Sequence, residues 1–259
     1  MTNSPVIYKQ DGNVVTISYN RPDNLNTING AMREGLNAAW KKFLDDETAW
    51  VAILTGTGDT FCAGADLKDI KGSAGTFPGT FWEKPTINSF ESGMEIFKPV
   101  IAAVNGPCIG YGLTAVTFCD FVLASDRASF AYPEVRIGIP TIVGAIRLPN
   151  KLTWSHAMEL LLLGETITAE RAKEIGLVWE IYPHEKLIAK ANELAQRLCR
   201  SAPIASRVTK EVATRTKDMG WVEAVRFGET MRIVASQTED AKEGRKAYKE
   251  KRKPKWQGR

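Results

Sequence analysis

Histidine is scarce in this chain. His156 and His184 are the only two among 259 residues, and they stand far apart. That removes the usual basis for a Ser-His-Asp triad or a histidine-built zinc site. Cysteine is nearly as rare. Cys62, Cys108, Cys119 and Cys199 show no metal-ligand spacing, and they read as reduced core residues. No apolar run approaches the ~18 residues that a membrane span needs. No G-K-[ST] occurs, so a Walker-type phosphate loop is absent. The opening residues "MTNSPVIYKQ" lack a basic-then-apolar pattern, and a cytoplasmic location is the expectation. No resident metal or cofactor is expected.

The chain is 44% apolar and 25% charged, which suits one large domain, or one domain with an appendage, able to bury a core without staples. The formal charge of +4 is unevenly spread. Residues 241–259 hold nine Lys/Arg and two Glu, a local +7, so the remaining chain is near −3. The plain reading of this basic run is a solvated helix face with a frayed end, and the sharper one is a phosphate-binding patch. Aromatic residues are not interleaved through it as single-strand binding requires, so nucleic acid is not assigned as a partner.

Residues 13–20, "NVVTISYN", alternate and are β-branched, which predicts a strand. Apolar runs at 50–56, 99–105, 120–126 and 177–183 predict buried or half-buried strands. Helical patterns cover 28–46, 153–164 and 168–176, the last beginning at a Thr cap and ending at Gly176. Beyond residue 184 the chain reads as helical throughout. The prediction is an α/β core over 1–200 followed by a helical region over 201–259. The stretch 72–90 has three glycines, two prolines and four aromatics without a period. Irregular loops of this length are often functional, and a surface loop is the alternative.

Two short stretches stand out. "FCAGADLK" (61–68) and "NGPCIGYG" (105–112) each follow an apolar strand and are rich in small residues, and each leads towards a helical pattern. Gly110, Gly112 and Ala115 spell a variant of the dinucleotide fingerprint G-x-G-x-x-A, with Asp126 at the end of the next strand. Two features argue against that reading. Residues 105–109 separate the strand from the first glycine, where a tight turn is wanted, and the helix before Asp120 is too short for a crossover. The other reading uses both stretches. At each, backbone N–H groups and a helix dipole are available, and two N–H groups aimed at one point form an oxyanion hole that small residues let a carbonyl enter.

With "RPDNLNTIN" (21–29), "FCAGADLKDI" (61–70), "KPVIAAVNGPCIGYG" (98–112), "CDFVLASDRASFAYPEVRIGIP" (119–140) and "TAERAKEIGLV" (168–178), the chain resembles the crotonase, or enoyl-CoA hydratase/isomerase, superfamily from about residue 5 to its end. The resemblance implies an α/β fold of the ClpP/crotonase type, a spiral of ββα units with a helical C-terminal region used in trimer packing. It implies an acyl-CoA substrate and a homotrimer or dimer of trimers. The thioester carbonyl is expected between the N–H groups of Ala65 and Tyr111, with Ala63, Gly64, Asp66, Leu67, Gly110, Gly112 and Pro133 lining the approach. Asp23, Asn24 and Leu25 match the segment along the adenine side of CoA. The basic C-terminus, Lys251 and Arg252 included, is a candidate for the CoA phosphates. Phe81 and Trp82, with Phe77, are candidates for an acyl pocket, packing at a subunit contact being the alternative.

Glu134 matches a catalytic glutamate of the family, and Thr114 stands where hydratases carry a second one. Hydration asks one group to deprotonate water and another to protonate the α-carbon, which two carboxylates do readily. A double-bond shift needs only one base, which moves a proton from the α- to the γ-carbon while the oxyanion hole holds the enolate. A lone Glu134 therefore ranks isomerisation ahead of hydration, and hydration ahead of C–C or thioester cleavage. A non-catalytic acyl-CoA binder is the alternative of another class. If residues 134–136 form a strand, Arg136 shares a face with Glu134 and would weaken it as a base. A bend there would send Arg136 to solvent.

Overall fold

The computed structural model describes residues 4–69, 89–90 and 93–259. Its first element, β1 (Val6–Asp11), forms a hairpin with β2 (Val14–Tyr19), pairing Asp11 with Val14 across a two-residue turn in which Gly12 takes φ +56°. The "DGN" of that turn was a usable signal for β1, which the alternation at 13–20 does not reveal. Asn29 then caps helix α1 (Gly30–Asp45) by accepting from the Met32 N–H, and Met32, Leu36, Ala39, Trp40 and Phe43 form its buried stripe.

From β2 onward the main sheet is parallel. β3 (Val51–Gly56), β4 (Val100–Val104), β6 (Phe121–Ser125) and β9 (Glu180–Tyr182) continue it in the order β1-β2-β3-β4-β6-β9. β4 is buried at every residue, as are the first five of β3, as expected of a sheet covered on both faces. Val51, Ile53, Ile101, Ala103 and Leu123 face one way, against Leu187, Ala191 and Leu194 of α6 (Leu187–Leu198). Ala52, Leu54, Ala102, Val104 and Val122 face the larger core, which includes the stripe of α1.

A smaller three-stranded sheet positions the site: β5 (Cys108–Ile109), β7 (Ser129–Ala131) and β8 (Ile167–Thr168). β5 runs parallel to β7, with Cys108 opposite Phe130, and Cys62 bridges Cys108 in parallel on the other side. Cys62, Cys108 and Phe130 thus form one row of three parallel segments. Their continuations leave at the same edge, the carboxyl end where α/β sheets place ligands. Helix α2 (Tyr111–Phe118) follows β5 at once.

The helical C-terminal region is present as α7 (Pro203–Arg215), α8 (Trp221–Ser236) and α9 (Glu239–Lys249), after α3 (Val143–Arg147), α4 (Trp154–Leu163) and α5 (Ala169–Glu174). The basic end is not a frayed helix. Residues 250–259 fold back so that the buried Asp240 carboxylate accepts from the Gln257 and Gly258 N–H groups, and the Trp256 indole donates to Arg200 O. Cys62, Cys108 and Cys119 are buried thiols outside any disulfide, and burial raises the Cys119 thiol to about 12. Among the described residues no His/Cys/Asp/Glu group is built to hold a metal, and no helix is long and apolar enough to cross a membrane.

Candidate active site

The two small-residue stretches converge. Ile28 bridges Ala65 in parallel through Ile28 N–H to Gly64 O and Asp66 N–H to Ile28 O. In that ladder the N–H of Ala65 points away from Ile28, and it donates to no described group. On the neighbouring segment Gly110 takes φ +53° and donates to Ala131 O, and α2 starts at Tyr111 with its first N–H groups unbonded within the helix. Gly64, at φ +94°, faces the second segment so closely that a Cβ there would lie 3.8 Å from Tyr111 N. The Ala65 N–H is freed by the Ile28 bridge and not by a helix end. Through Asp69 the chain after Ala65 forms a turn, so the helix expected there does not begin within the described residues.

Glu134 arrives from the third segment. Pro133 presets φ and opens a 3-10 helix, Pro133–Ile137, which Gly138 closes at φ +76°. This is a bend, not a strand, and it separates Glu134 from Arg136. Arg136 donates to Leu163 O and pairs with Glu165 at 3.1 Å on the outer surface, so it leaves the glutamate alone. The Glu134 carboxylate lies against Gly110, where a Cβ would meet Oε1 at 2.6 Å. Its Oε2 is buried without a donor among the described residues. A buried carboxylate oxygen with no partner among the described residues is costly in a purely structural role.

One cavity of ≈ 690 Å³ takes in both N–H positions, Glu134 and Thr114. Ala63, Gly64, Leu67, Gly110 and Pro133 also line it. Asp66 and Gly112 do not. Asp66 pairs with Arg21 at 3.0 Å and accepts from Thr27, and the Arg21 hydrogen bond holds its carboxyl below the usual range. Gly112 packs helix on strand, since a Cβ there would lie 2.6 Å from Cys62 O. Asp23, Asn24 and Leu25 lie outside the cavity, in and just after a 3-10 helix, Pro22–Asn24. Leu25 O accepts from the Ala63 N–H and so ties this segment to the first loop. Arg252 is committed to Glu243 and Glu250, while Lys251 is exposed just after the end of α9 at φ +53°. Phe77, Phe81 and Trp82 lie outside the described residues.

Several contributors were not picked out from the sequence. Ile137, Ile139, Ile142 and Val143 supply an apolar wall, and the signal was the Gly- and Pro-broken apolar run after Glu134. Arg33 of α1 reaches the cavity and sits 5.3 Å over the Tyr111 ring. That packing, with the ring half-buried against the core, is how a tyrosine fits at a position where the resemblance implies glycine. Thr114 is buried with its hydroxyl 3.2 Å from the phenol of Tyr132, and burial holds that phenol protonated far above its ordinary range.

Residues 9–259 match the family model described as enoyl-CoA hydratase/isomerase. The chain is 35% identical over 245 residues to an enoyl-CoA hydratase, mitochondrial, of Pongo abelii, covering 94% of this chain and 83% of that protein. It is 32% identical over 258 residues to (E)-benzylidenesuccinyl-CoA hydratase of Thauera aromatica, covering 98% and 99%. Among solved structures, an enoyl-CoA hydratase/isomerase from Mycobacterium paratuberculosis superposes with a TM-score of 0.87 at 37% identity over the whole of both chains. An enoyl-CoA hydratase from Mycobacterium tuberculosis reaches 0.90 at 32%, covering 99% of this chain and 100% of that one. The fold is that of the crotonases, and the chain belongs to the enoyl-CoA hydratase/isomerase family.

Proposed function

We propose that this chain acts on an enoyl-CoA thioester, with the N–H groups of Ala65 and Tyr111 holding the enolate oxygen and Glu134 serving as the only carboxylate acid/base. The supporting observation is the meeting of Ala65, Tyr111 and Glu134 on one cavity, with Glu134 Oε2 buried and without a partner among the described residues. A thioester carbonyl entering between the loops gains two donors as negative charge moves onto its oxygen. Each such donor contributes about 10²–10³ in rate. A positioned general base contributes about 10²–10⁴.

One carboxylate suffices for a double-bond shift, because the same group takes the α-proton and returns it at the γ-carbon. Hydration is the second reading, and the names of the relatives favour it. With a single carboxylate, Glu134 takes a proton from water as the oxygen bonds the β-carbon, and then delivers that proton to the α-carbon. The family likeness supports a homotrimer or dimer of trimers, in which the exposed apolar Trp221 and Val225 of α8 would be available for a subunit contact, and light scattering measures the assembly.

Turnover of 2-enoyl- and 3-enoyl-CoA by the wild type and by Glu134→Gln tests the assignment. The variant is expected to lose at least about 10²-fold in kcat. Equal turnover by the variant rejects Glu134 as the base. Which substrate the wild type prefers decides between the two readings.

A further inference from the structure

The wall of the cavity that follows Glu134 is largely aliphatic, yet one part of the cavity is not. Thr114 and Thr141 both line it, and behind them lies the fully buried ring of Tyr132. The Thr114 and Tyr132 hydroxyl oxygens stand 3.2 Å apart. Two hydroxyls carry two hydrogens, and their mutual contact uses one. Neither oxygen has another partner among the described residues, so the pair retains one donor with no protein acceptor. Thr141 Oγ1 is also buried without a partner among the described residues. A pair kept only for packing would be replaced at little cost by Val and Phe, which leave no spare donor behind. The fold also makes room for the phenol. Gly144 of α3 stands where a Cβ would come within 2.6 Å of the Tyr132 hydroxyl oxygen and 2.7 Å of Thr141 Cγ2. Tyr132 has no access to the cavity of its own, so the member of the pair that meets a ligand is Thr114.

We propose that the Thr114–Tyr132 hydroxyl pair is an oxygen-holding subsite of this cavity. In it Tyr132 is a positioning residue that aims the Thr114 hydroxyl at the β-oxygen of a 3-hydroxyacyl thioester, or at the water that becomes that oxygen. This rests on the reading of the cavity as a thioester site and deepens it. The chemistry balances without a co-reactant. Water gives its oxygen and one hydrogen to the β-carbon, its second hydrogen passes through Glu134 to the α-carbon, and the double-bond electrons form the new C–H bond by way of the enolate. Thr114 holds the oxygen throughout and exchanges no proton in net terms. Burial raises the Tyr132 phenol, so it stays a donor-competent hydroxyl across the working range.

The test is calorimetric binding in the Glu134→Gln background, where turnover is suppressed. A 3-hydroxyacyl-CoA is compared with the saturated acyl-CoA of equal length. The hydroxylated ester is expected to bind about tenfold more tightly, the worth of one hydrogen bond to a buried donor. Thr114→Val and Tyr132→Phe should each bring the ratio close to one, and together no lower. Thr114→Ser should restore it, which a purely structural role would not predict. Gly144→Ala, which crowds the phenol without touching the ligand, should also reduce it. Thermal melts identify any variant that fails to fold, and Thr114→Val and Tyr132→Phe can stand in for each other. A ratio near one in the background protein, or one unchanged by Tyr132→Phe, overturns the subsite while leaving thioester binding intact. Failure to bind either ester overturns the proposed function, and the subsite falls with it.

Discussion

The carboxylate of Glu134 rests on the backbone of Gly110, so close that a single added methyl group would strike Oε1 at 2.6 Å. Glu134 and the loop that begins α2 are therefore one mechanical unit. The same glycine sits at φ +53°, where a side chain adds about 1–2 kcal/mol of strain. Gly110→Ala is expected to displace the carboxylate and lower kcat by about 10² or more. Steady-state kinetics with a parallel melting curve check this, and a variant that melts normally but keeps full turnover would contradict the geometry.

Gly112 affects the site through packing. A Cβ there would meet Cys62 O at 2.6 Å and Cys62 Cβ at 2.8 Å, pushing α2 off the segment that carries Ala65. Gly112→Ala should cost about 1–3 kcal/mol of stability, as overpacked cores do. It should also lower kcat, because the Tyr111 N–H moves with the helix. Denaturant titration and kinetics on the same preparation measure both.

Arg136 offers the opposite expectation. Its partner is Glu165, both side chains are more than half exposed, and it does not touch Glu134. Removing it in Arg136→Ala should change stability by less than about 1 kcal/mol. The pH dependence of kcat should be unchanged. A displaced acidic limb of the pH profile would show that the arginine acts on the base after all.

Lys98 is buried at 3% exposure, donates to Phe43 O and Asp46 O at the end of α1, and has its ammonium lowered by burial to about 8 from 10.5. The folded state releases this proton before the unfolded chain does. Between about 8 and 10.5 the unfolded state therefore binds more protons, and stability from this group rises with pH. Below about 8 both states are protonated and the burial penalty is felt in full. Urea titrations across this window should show the rise in the wild type and a flatter curve in Lys98→Met.

The sequence made much of this legible, for identifiable reasons. The runs at 50–56 and 99–105 predict β3 and β4 because buried parallel strands are written as continuous apolar residues. The pair of small-residue stretches pointed to Ala65 and Tyr111, since close backbone approach demands small residues wherever it occurs. β1 was missed because only one of its six residues is buried, which leaves little hydrophobic pattern. Asp66 and Gly112 are expected beside the ligand along with their neighbours; the neighbours line the cavity, but the Asp66 side chain turns to Arg21 and the space at Gly112 is filled by Cys62.

Periodicity, turn residues and the run of small residues were enough to specify the main-sheet strands from β2 onward, most of the longer helices and the chemical types gathered at the site, because these are local properties of the chain. Which atoms meet was decided by long-range pairing. The row from Cys62 through Cys108 to Phe130 brings three distant loops to one edge, the 3-10 turn at Pro133 turns Arg136 away from Glu134, and the space beside Gly144 lets the Tyr132 phenol reach Thr114. Contacts between residues 12 to 46 positions apart depend on how the sheets close, and no window of local sequence carries that information.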